Sequence, residues 1–310
     1  MTEELLRRGH GVRCIDDLST GSINNIEPFK GRVGYAYTIG TVFDVGLMAE
    51  LVDWSDVVVH LAAVVGVQIV VDDPVRTIET NVHGTETVLA AAAKKKRRTI
   101  IASTSEVYGK GSGGGPFRED CDLVFGATDK ARWAYACSKA IDEFLAIAYW
   151  RQKGVPTTIV RLFNTVGPRQ TGQYGMVIPS LVGQALRGSD MTVFGNGRQT
   201  RCFALVTEVV KGIADLIGCK KSHGLVVNLG NNEEISMLGL ARRIRSLTRT
   251  RSKIVLVSYD KAYSVGFEDM QRRVPDLARA RRLIGYRPKA TLDDILKSVI
   301  GSMRPQPDAQ

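Results

Sequence analysis

The sequence predicts an α/β fold in which a doubly wound parallel sheet carries a smaller α+β lobe. Three observations lead to this prediction. Short apolar runs alternate with long helical stretches through the first half of the chain. Runs such as VVVHLAA lack polar alternation, as expected for strands that are buried on both faces. After about residue 165, prolines and glycines separate shorter elements, so we expect one domain over residues 1–165, mainly a substrate-binding lobe over 166–303, and a tail over 304–310.

The individual elements follow from local patterns. Apolar runs closed by polar or glycine residues predict strands at 12–15, 33–39, 57–63, 99–103 and 157–162. Amphipathic or alanine-rich stretches predict helices in the first domain at 2–8, 42–52, 74–93 and 132–152. In the lobe, helices are predicted at 207–217, 236–247, 276–284 and 292–300. The glycine-rich stretch at 109–116 predicts a loop.

Composition narrows the class of protein. The 310 residues carry a net charge of +10, contain no apolar run long enough to span a membrane, and begin without a signal-like segment. Five scattered cysteines without C-x-x-C spacing indicate a reducing, cytoplasmic setting, and four histidines without metal-ligand spacing predict no metal site. The basic run KKKRR at 94–98 fits a solvated helix end better than a nucleic-acid surface. We therefore expect no nucleic-acid or membrane partner.

Asp16 marks half of a dinucleotide-binding pattern. It ends a short apolar strand, where an acidic residue normally binds the adenosine ribose. The glycine-rich turn that normally precedes it, and whose backbone N–H groups bind a pyrophosphate, is absent from the sequence. We therefore expect a Rossmann-like sheet that apparently lacks its central first strand, and in-frame coding sequence upstream of Met1 for roughly 15–20 further residues.

The stretch from residue 100 to 139 carries the predicted chemistry. Thr104, Ser105 and Glu106 follow a buried strand, and Tyr135 and Lys139 lie one helical turn apart on the same face. A nearby ammonium stabilises a phenolate and lowers its pKa from about 10. Such a phenolate can take the proton of a sugar hydroxyl while hydride leaves the same carbon, and a threonine hydroxyl can bind that hydroxyl.

Five motifs together carry a family resemblance. VVVHLAA, DDPVRTIETNVHGT, ASTSEVYGK, RWAYACSKA and VRLFNTVGPRQ resemble the extended short-chain dehydrogenase/reductase family of NAD-dependent nucleotide-sugar epimerases, dehydratases and decarboxylases. The resemblance implies NAD as cofactor and a catalytic core of Thr104, Tyr135 and Lys139. It implies that NAD is bound by Asp16, Leu61, Ala62, Ala63, Asn81, Tyr135 and Lys139. For the sugar nucleotide's diphosphate it implies Asn164, Arg201 and one of Arg272 and Arg273.

The resemblance also bears on the reaction. Family 4,6-dehydratases usually carry Thr-Asp-Glu where this chain has Thr104, Ser105 and Glu106, so the acid of dehydration is missing here. Thr-Ser-Glu and the late RRVPD resemble the UDP-glucuronate decarboxylases, the UDP-apiose/xylose synthases and the polymyxin-resistance decarboxylase. In those enzymes an arginine meets the substrate carboxylate, and Arg273 matches it. The resemblance then implies that Ser105 and Glu106 position that carboxylate or handle protons at C5.

Several alternatives stay open from the sequence. A nucleotide-sugar 4-epimerase needs the same catalytic core without a carboxylate-binding group. A non-catalytic relative is supported only by the missing glycine-rich turn. Relatives are commonly homodimers, and the apolar positions Ala140, Phe144, Ile147 and Ala148 serve either a dimer interface or the monomer core. A UDP-sugar is the expected substrate, but the sequence fixes neither the sugar nor the nucleotide base.

Overall fold

The computed structural model describes residues 1–111, 114–172, 175–262 and 268–304, so residues 112 and 113 of the predicted loop at 109–116 lie outside the described part. Within these ranges the helices, α1 to α11 in chain order, are Thr2–Arg7, Val45–Trp54, Val67–Asp72, Pro74–Lys94, Arg132–Lys153, Val177–Leu186, Val206–Ile217, Met237–Thr248, Tyr259–Ala262, Ala278–Ile284 and Leu292–Met303. The strands, β1 to β13, are Val12–Asp16, Tyr35–Ile39, Val57–His60, Arg98–Thr104, Thr157–Leu162, Thr165–Val166, Met191–Phe194, Thr200–Cys202, Ala204–Leu205, Leu225–Leu229, Glu234–Ser236, Ile254–Val257 and Arg272–Arg273.

The main sheet is parallel, which confirms the predicted α/β class. Its strand order is β10-β5-β4-β3. Strands β1 and β2 pair in parallel with each other but form a separate two-stranded sheet. Within the described residues, no strand is hydrogen-bonded between β1 and β3, as expected for a sheet without its central first strand. The β1–β2 unit is held through its helices instead, since Arg8 beyond α1 forms an ion pair of 2.8 Å with Asp215 of α7.

Side chains of β4 alternate between two buried faces of the sheet. Ile100 packs with Ile213 and Leu216 of α7, whereas Ile101 packs with Leu89 of α4 and with α5. Both isoleucines are fully buried. A strand that is covered by helices on both sides must be apolar at consecutive positions, and this is why the sequence shows an unbroken apolar run here.

Two predicted strands are longer than the observed ones. The predicted strand at 33–39 begins only at Tyr35, because Gly34 has a left-handed φ of +83° and turns the chain into the strand. The predicted strand at 57–63 ends at His60. The following backbone leaves the sheet and is held there, since the Asn81 side-chain oxygen accepts the N–H of Val64 at 2.9 Å.

The second lobe is built from small sheets over an apolar core of α6, α8 and α11. In one three-stranded sheet, β8 lies between β11 and β13. The parallel register of β13 on β8 places Arg273 beside Arg201. These residues are 72 positions apart in sequence, so the strand pairing is what brings them to one site. No helix within the described ranges combines the length and the apolarity needed to cross a membrane.

Candidate active site

The end of β4 forms one wall of the site. The hydroxyl of Thr104 accepts the N–H of Glu106 at 3.2 Å and so begins a single turn of 3-10 helix over residues 105–108. This turn places Ser105 in the interior, 1% exposed, and aims Glu106 toward the second lobe. The three predicted residues at the strand end therefore lie together.

Tyr135 and Lys139 lie on one face of α5, as predicted. The Lys139 ammonium, however, is not paired with the Tyr135 hydroxyl as expected. Burial, followed by the negative charge of Glu106, raises the pKa of Tyr135 above its ordinary value, against the opposing effects of Thr104 and Arg273. The Lys139 ammonium donates to Asp142 at 2.7 Å. The expected lowering of the tyrosine pKa by Lys139 is thus not found in this arrangement.

Glu106 is a carboxylate held between two arginines. Arg273 donates to it at 2.9 Å, and Arg132 lies 3.5 Å from its other oxygen. Burial alone would raise the pKa of Glu106, but the charges of Arg132 and Arg273 outweigh it and lower the pKa to about 2. Glu106 is therefore ionised at neutral pH.

Asp269 connects Arg132 to a third arginine of the site, Arg201. One of its oxygens accepts from Arg132 at 2.8 Å and from Arg201 at 2.9 Å. Burial, followed by the charge of Arg273, lowers the pKa of Arg201 to about 10. Three guanidiniums and two carboxylates therefore share this buried cluster, which leaves one net positive charge for an anionic ligand.

Arg132 and Asp269 belong to the site but were not predicted from the sequence. Arg132 stands directly before the tryptophan of RWAYACSKA, so its position in a motif could have identified it. Asp269 has no such signal, because an acid next to Glu268 outside any motif looks like a surface residue. Only the fold brings it between two arginines.

Arg273 and Arg272 point to different surroundings. Arg273 also donates to the Asn164 side-chain oxygen at 2.9 Å, and its buried Nε has no hydrogen-bond partner among the described residues. Arg272 instead pairs with Glu234 and donates to the carbonyl oxygens of Gly114 and Gly115. Arg273 therefore belongs to the cluster around Glu106, and the observed contacts of Arg272 lie outside it.

Asn164 is held in an uncommon backbone conformation. Its φ is +24°, which residues other than glycine adopt rarely and at a cost. Its amide fixes this geometry from both ends, since the nitrogen donates to the Cys202 carbonyl at 2.8 Å while the oxygen accepts from Arg273. The conformation directs Asn164 into the arginine cluster, and its role as a ligand-binding residue stays a prediction.

The residues expected to bind NAD lie at the carboxyl ends of the strands. Asp16 ends β1 and accepts the N–H of Leu18 at 2.7 Å. Leu61, Ala62 and Ala63 follow β3, and the first two are exposed. Asn81 lies behind this loop, where it accepts from Val64 and donates to Ser138 of α5 at 3.0 Å. In these contacts Asn81 fixes the loop against the catalytic helix.

A nearby cavity contains polar atoms that lack partners. Thr165 and Gln170 line a cavity of about 370 Å³ together with Met1, Glu3 and Arg169. The hydroxyl of Thr165 and the side-chain oxygen of Gln170 are buried without a hydrogen-bond partner among the described residues. Such atoms favour a polar ligand. The unpaired hydroxyl and amide oxygen suit a polar ligand such as a dinucleotide, and the described residues include no glycine-rich turn for a pyrophosphate.

The chain is similar in sequence to known enzymes that act on nucleotide sugars. A family model described as GDP-mannose 4,6 dehydratase matches residues 1–299. The chain is 40% identical to a UDP-N-acetyl-alpha-D-glucosaminuronate decarboxylase of Bacillus cytotoxicus, over 97% of this chain and 92% of that protein. It is 32% identical to UDP-glucuronic acid decarboxylase 1 of Xenopus tropicalis, over 100% of this chain and 70% of that protein.

Solved structures show the same fold. The dTDP-glucose 4,6-dehydratase DesIV of Streptomyces venezuelae, solved with NAD and TYD bound, matches with a TM-score of 0.87 and 27% identity, over 97% of this chain and 91% of that one. A UDP-glucuronic acid 4-epimerase of Bacillus cereus, solved with UDP-glucuronic acid and NAD, matches with a TM-score of 0.86 and 25% identity, over 97% and 93%.

Proposed function

The chain belongs to the GDP-mannose 4,6-dehydratase family, and from that premise we propose that it is an NAD-dependent nucleotide-sugar enzyme that oxidises the sugar C4 hydroxyl and decarboxylates a UDP-hexuronic acid. Its curated relatives at 40% and 32% identity are named as decarboxylases of two such acids. The observation that carries the proposal is the buried arginine cluster around Glu106, which retains a net positive charge beside Tyr135.

The first step is proton removal at C4. NAD, when bound, supplies the hydride acceptor for that carbon. Tyr135 takes the proton of the C4 hydroxyl, and Thr104 binds the same oxygen and keeps it aligned. Lys139 stabilises the phenolate by its charge and contacts the cofactor. Asp16, Asn81 and the loop of Leu61 to Ala63 orient the cofactor from the strand ends.

The second step is loss of the carboxylate. Oxidation at C4 makes the hexuronic acid a β-keto acid, so the electrons of the C5–C6 bond can pass toward the C4 carbonyl as CO2 leaves. Arg273 binds the carboxylate through its remaining N–H, and the ionised Glu106 holds Arg273 in place. The enolate that remains takes a proton at C5 from water, which the Ser105 hydroxyl positions. Asn164 and Arg201 bind the diphosphate, for which a buried guanidinium is well suited.

The proposal is tested by incubating the protein with NAD and UDP-glucuronate carrying labelled carbon at C6. We expect release of labelled CO2, and the same from UDP-N-acetylglucosaminuronate if the pocket accepts the larger substituent at C2. UDP-glucose, which has no carboxylate, is the matched control and should release none. No CO2 from either acid would refute decarboxylation.

A 4-epimerase is the second candidate. The solved 4-epimerase that binds UDP-glucuronic acid supports it, because that enzyme also accepts a hexuronic acid. The same incubation separates the two reactions. Epimerisation would convert UDP-glucuronate to its C4 epimer with no loss of carbon, which chromatography of the products detects.

We also propose a cytoplasmic homodimer. Two apolar side chains on α5 support the dimer, since Phe144 is 70% exposed and Ile141 is 44% exposed. Exposed apolar side chains on neighbouring turns are typical of an interface. Ala140, in contrast, is buried in the monomer core. The free cysteines Cys14, Cys121, Cys137, Cys202 and Cys219 fit a reducing compartment.

A further inference from the structure

The ion pair between Lys139 and Asp142 lies in the interior of the protein. Lys139 is 2% exposed and Asp142 is fully buried, and both residues belong to α5. The ammonium donates to one carboxylate oxygen at 2.7 Å. The other oxygen, Oδ1, has no hydrogen-bond partner among the described residues. Burial raises the pKa of Asp142, against the opposing effects of Lys139 and of the nearby Thr85 hydroxyl of α4.

The next residue of α5 shows what a structural carboxylate looks like in this fold. Glu143 accepts two hydrogen bonds from Arg161, at 2.9 and 2.7 Å, and a third from Ser103. Its partners connect α5 to β4 and β5. Asp142, in contrast, has its hydrogen bond of 2.7 Å to the catalytic lysine of its own helix. Burying a carboxylate with an unpaired oxygen costs free energy, which indicates that Asp142 serves the function of Lys139.

The Lys139–Asp142 ion pair affects the ionisation of Tyr135. Glu106 and Asp142 both raise the pKa of Tyr135, after burial, whereas Arg273 lowers it. On the other side of the pair, His60 of β3 is buried, bonds to Thr85 and has its pKa lowered to about 3 by burial and then by Lys139, so it is neutral. Asp142 is therefore the anion that pairs with Lys139. Its negative charge cancels the effect that the Lys139 ammonium would otherwise have on the ionisation of Tyr135.

We propose that Asp142 is a positioning residue that holds the Lys139 ammonium in a resting position, and that release of this ammonium from Asp142 lets Lys139 stabilise the Tyr135 phenolate. In the resting arrangement Tyr135 stays a neutral phenol, so a buried phenolate does not form before a ligand is in place. The ribose hydroxyls of a bound cofactor are the groups that can draw the ammonium away. The inference rests on the proposed function for the role of Tyr135.

The test follows the ionisation of Tyr135 directly, without turnover. The full chain is produced with a ring-fluorinated tyrosine, whose phenol is more acidic, and is titrated by fluorine NMR. The Tyr135 signal is identified by its loss in Tyr135→Phe. In Asp142→Asn, which keeps the shape but removes the charge, we expect the Tyr135 midpoint to fall by about one pH unit. Asp142→Glu, which keeps the charge, should retain the wild-type midpoint.

Two further variants make the result decisive. Asp215→Asn removes an acid that pairs with Arg8 on the other side of the sheet, and it should leave the Tyr135 midpoint unchanged. The double variant Lys139→Met/Asp142→Asn removes the ammonium together with the carboxylate that offsets it, and it should leave the midpoint near the wild-type value. An unchanged or raised midpoint in Asp142→Asn overturns the proposal. So does a fall of about one unit that persists in the double variant, because the shift would then not come from the released Lys139 ammonium.

The same variants are also compared in an activity assay over a range of pH. The acid limb of the pH profile for sugar oxidation, followed by absorbance of the reduced nicotinamide, should move to lower pH in Asp142→Asn and not in Asp142→Glu. A merely structural ion pair would lower stability without moving this limb. If the wild-type protein oxidises no sugar nucleotide, the proposed function fails, and the NMR titration still decides the role of Asp142.

Discussion

Replacing Arg273 by methionine tests the electrostatic core of the site. Arg273 donates to Glu106 at 2.9 Å and helps to lower the pKa of that carboxyl from 4.5 to about 2. A shift of this size corresponds to about 3 kcal/mol of stability at neutral pH. Arg132 remains 3.5 Å from Glu106 after the substitution, so only part of that stability is lost. We expect Arg273→Met to lower the free energy of unfolding by about 2 kcal/mol at pH 7.

The sign of the pH dependence follows from the lowered pKa. A carboxyl whose pKa is depressed in the folded state stabilises the fold above its unfolded pKa and loses that effect as the pH falls toward its folded pKa. The difference in the free energy of unfolding between wild type and Arg273→Met should therefore be largest at pH 7. It should shrink as the pH falls from about 4.5 toward about 2. Urea unfolding followed by circular dichroism at several pH values measures it.

The neighbouring arginine is the matched control. Arg272 pairs with Glu234 at the surface, where both side chains are about one-third exposed. Exposed ion pairs contribute about 0–1 kcal/mol, so Arg272→Met should cost less than half as much at pH 7. Equal losses for the two variants, or a loss in Arg273→Met that does not change with pH, would refute the reasoning.

Three further predictions follow from particular contacts. Tyr135→Phe should abolish turnover and spare UDP binding, measured by calorimetry, and turnover near the wild-type rate would contradict the assignment of the base. Glu143→Gln leaves the buried Arg161 without its carboxylate, so thermal unfolding should show a loss of about 3–5 kcal/mol, and a loss below about 1 kcal/mol would show that the pair is dispensable. Phe144→Asp places a charge on the exposed apolar face of α5 and should convert a dimer to a monomer in analytical ultracentrifugation, while a dimer that persists would exclude this face.

The catalytic pair and the core strands could be predicted because their signals are local. Tyr135 and Lys139 share a face wherever a helix forms, since four residues make about one turn. The buried run around Ile100 and Ile101 similarly needs only a strand covered on both sides. The turn after β4 also follows from adjacent residues, because Thr104 bonds the backbone two positions on.

Which charges meet in the site was decided by tertiary structure. Neighbouring residues of a strand point to opposite faces, so the pairing of β13 with β8 determines that Arg273, and not Arg272, reaches Glu106. The same pairing of distant segments brings Asp269 between two arginines.

The sequence by itself determined the α/β class, the helix with its tyrosine and lysine, and the polar end of β4, because each depends on residues within one or two turns of each other. The tertiary structure decided the arginine cluster and the use of Phe144 as surface rather than core. It also decided that Lys139 rests on Asp142. The reason is physical: electrostatic and packing energies depend on distances in space, and distant segments acquire those distances only when the chain folds.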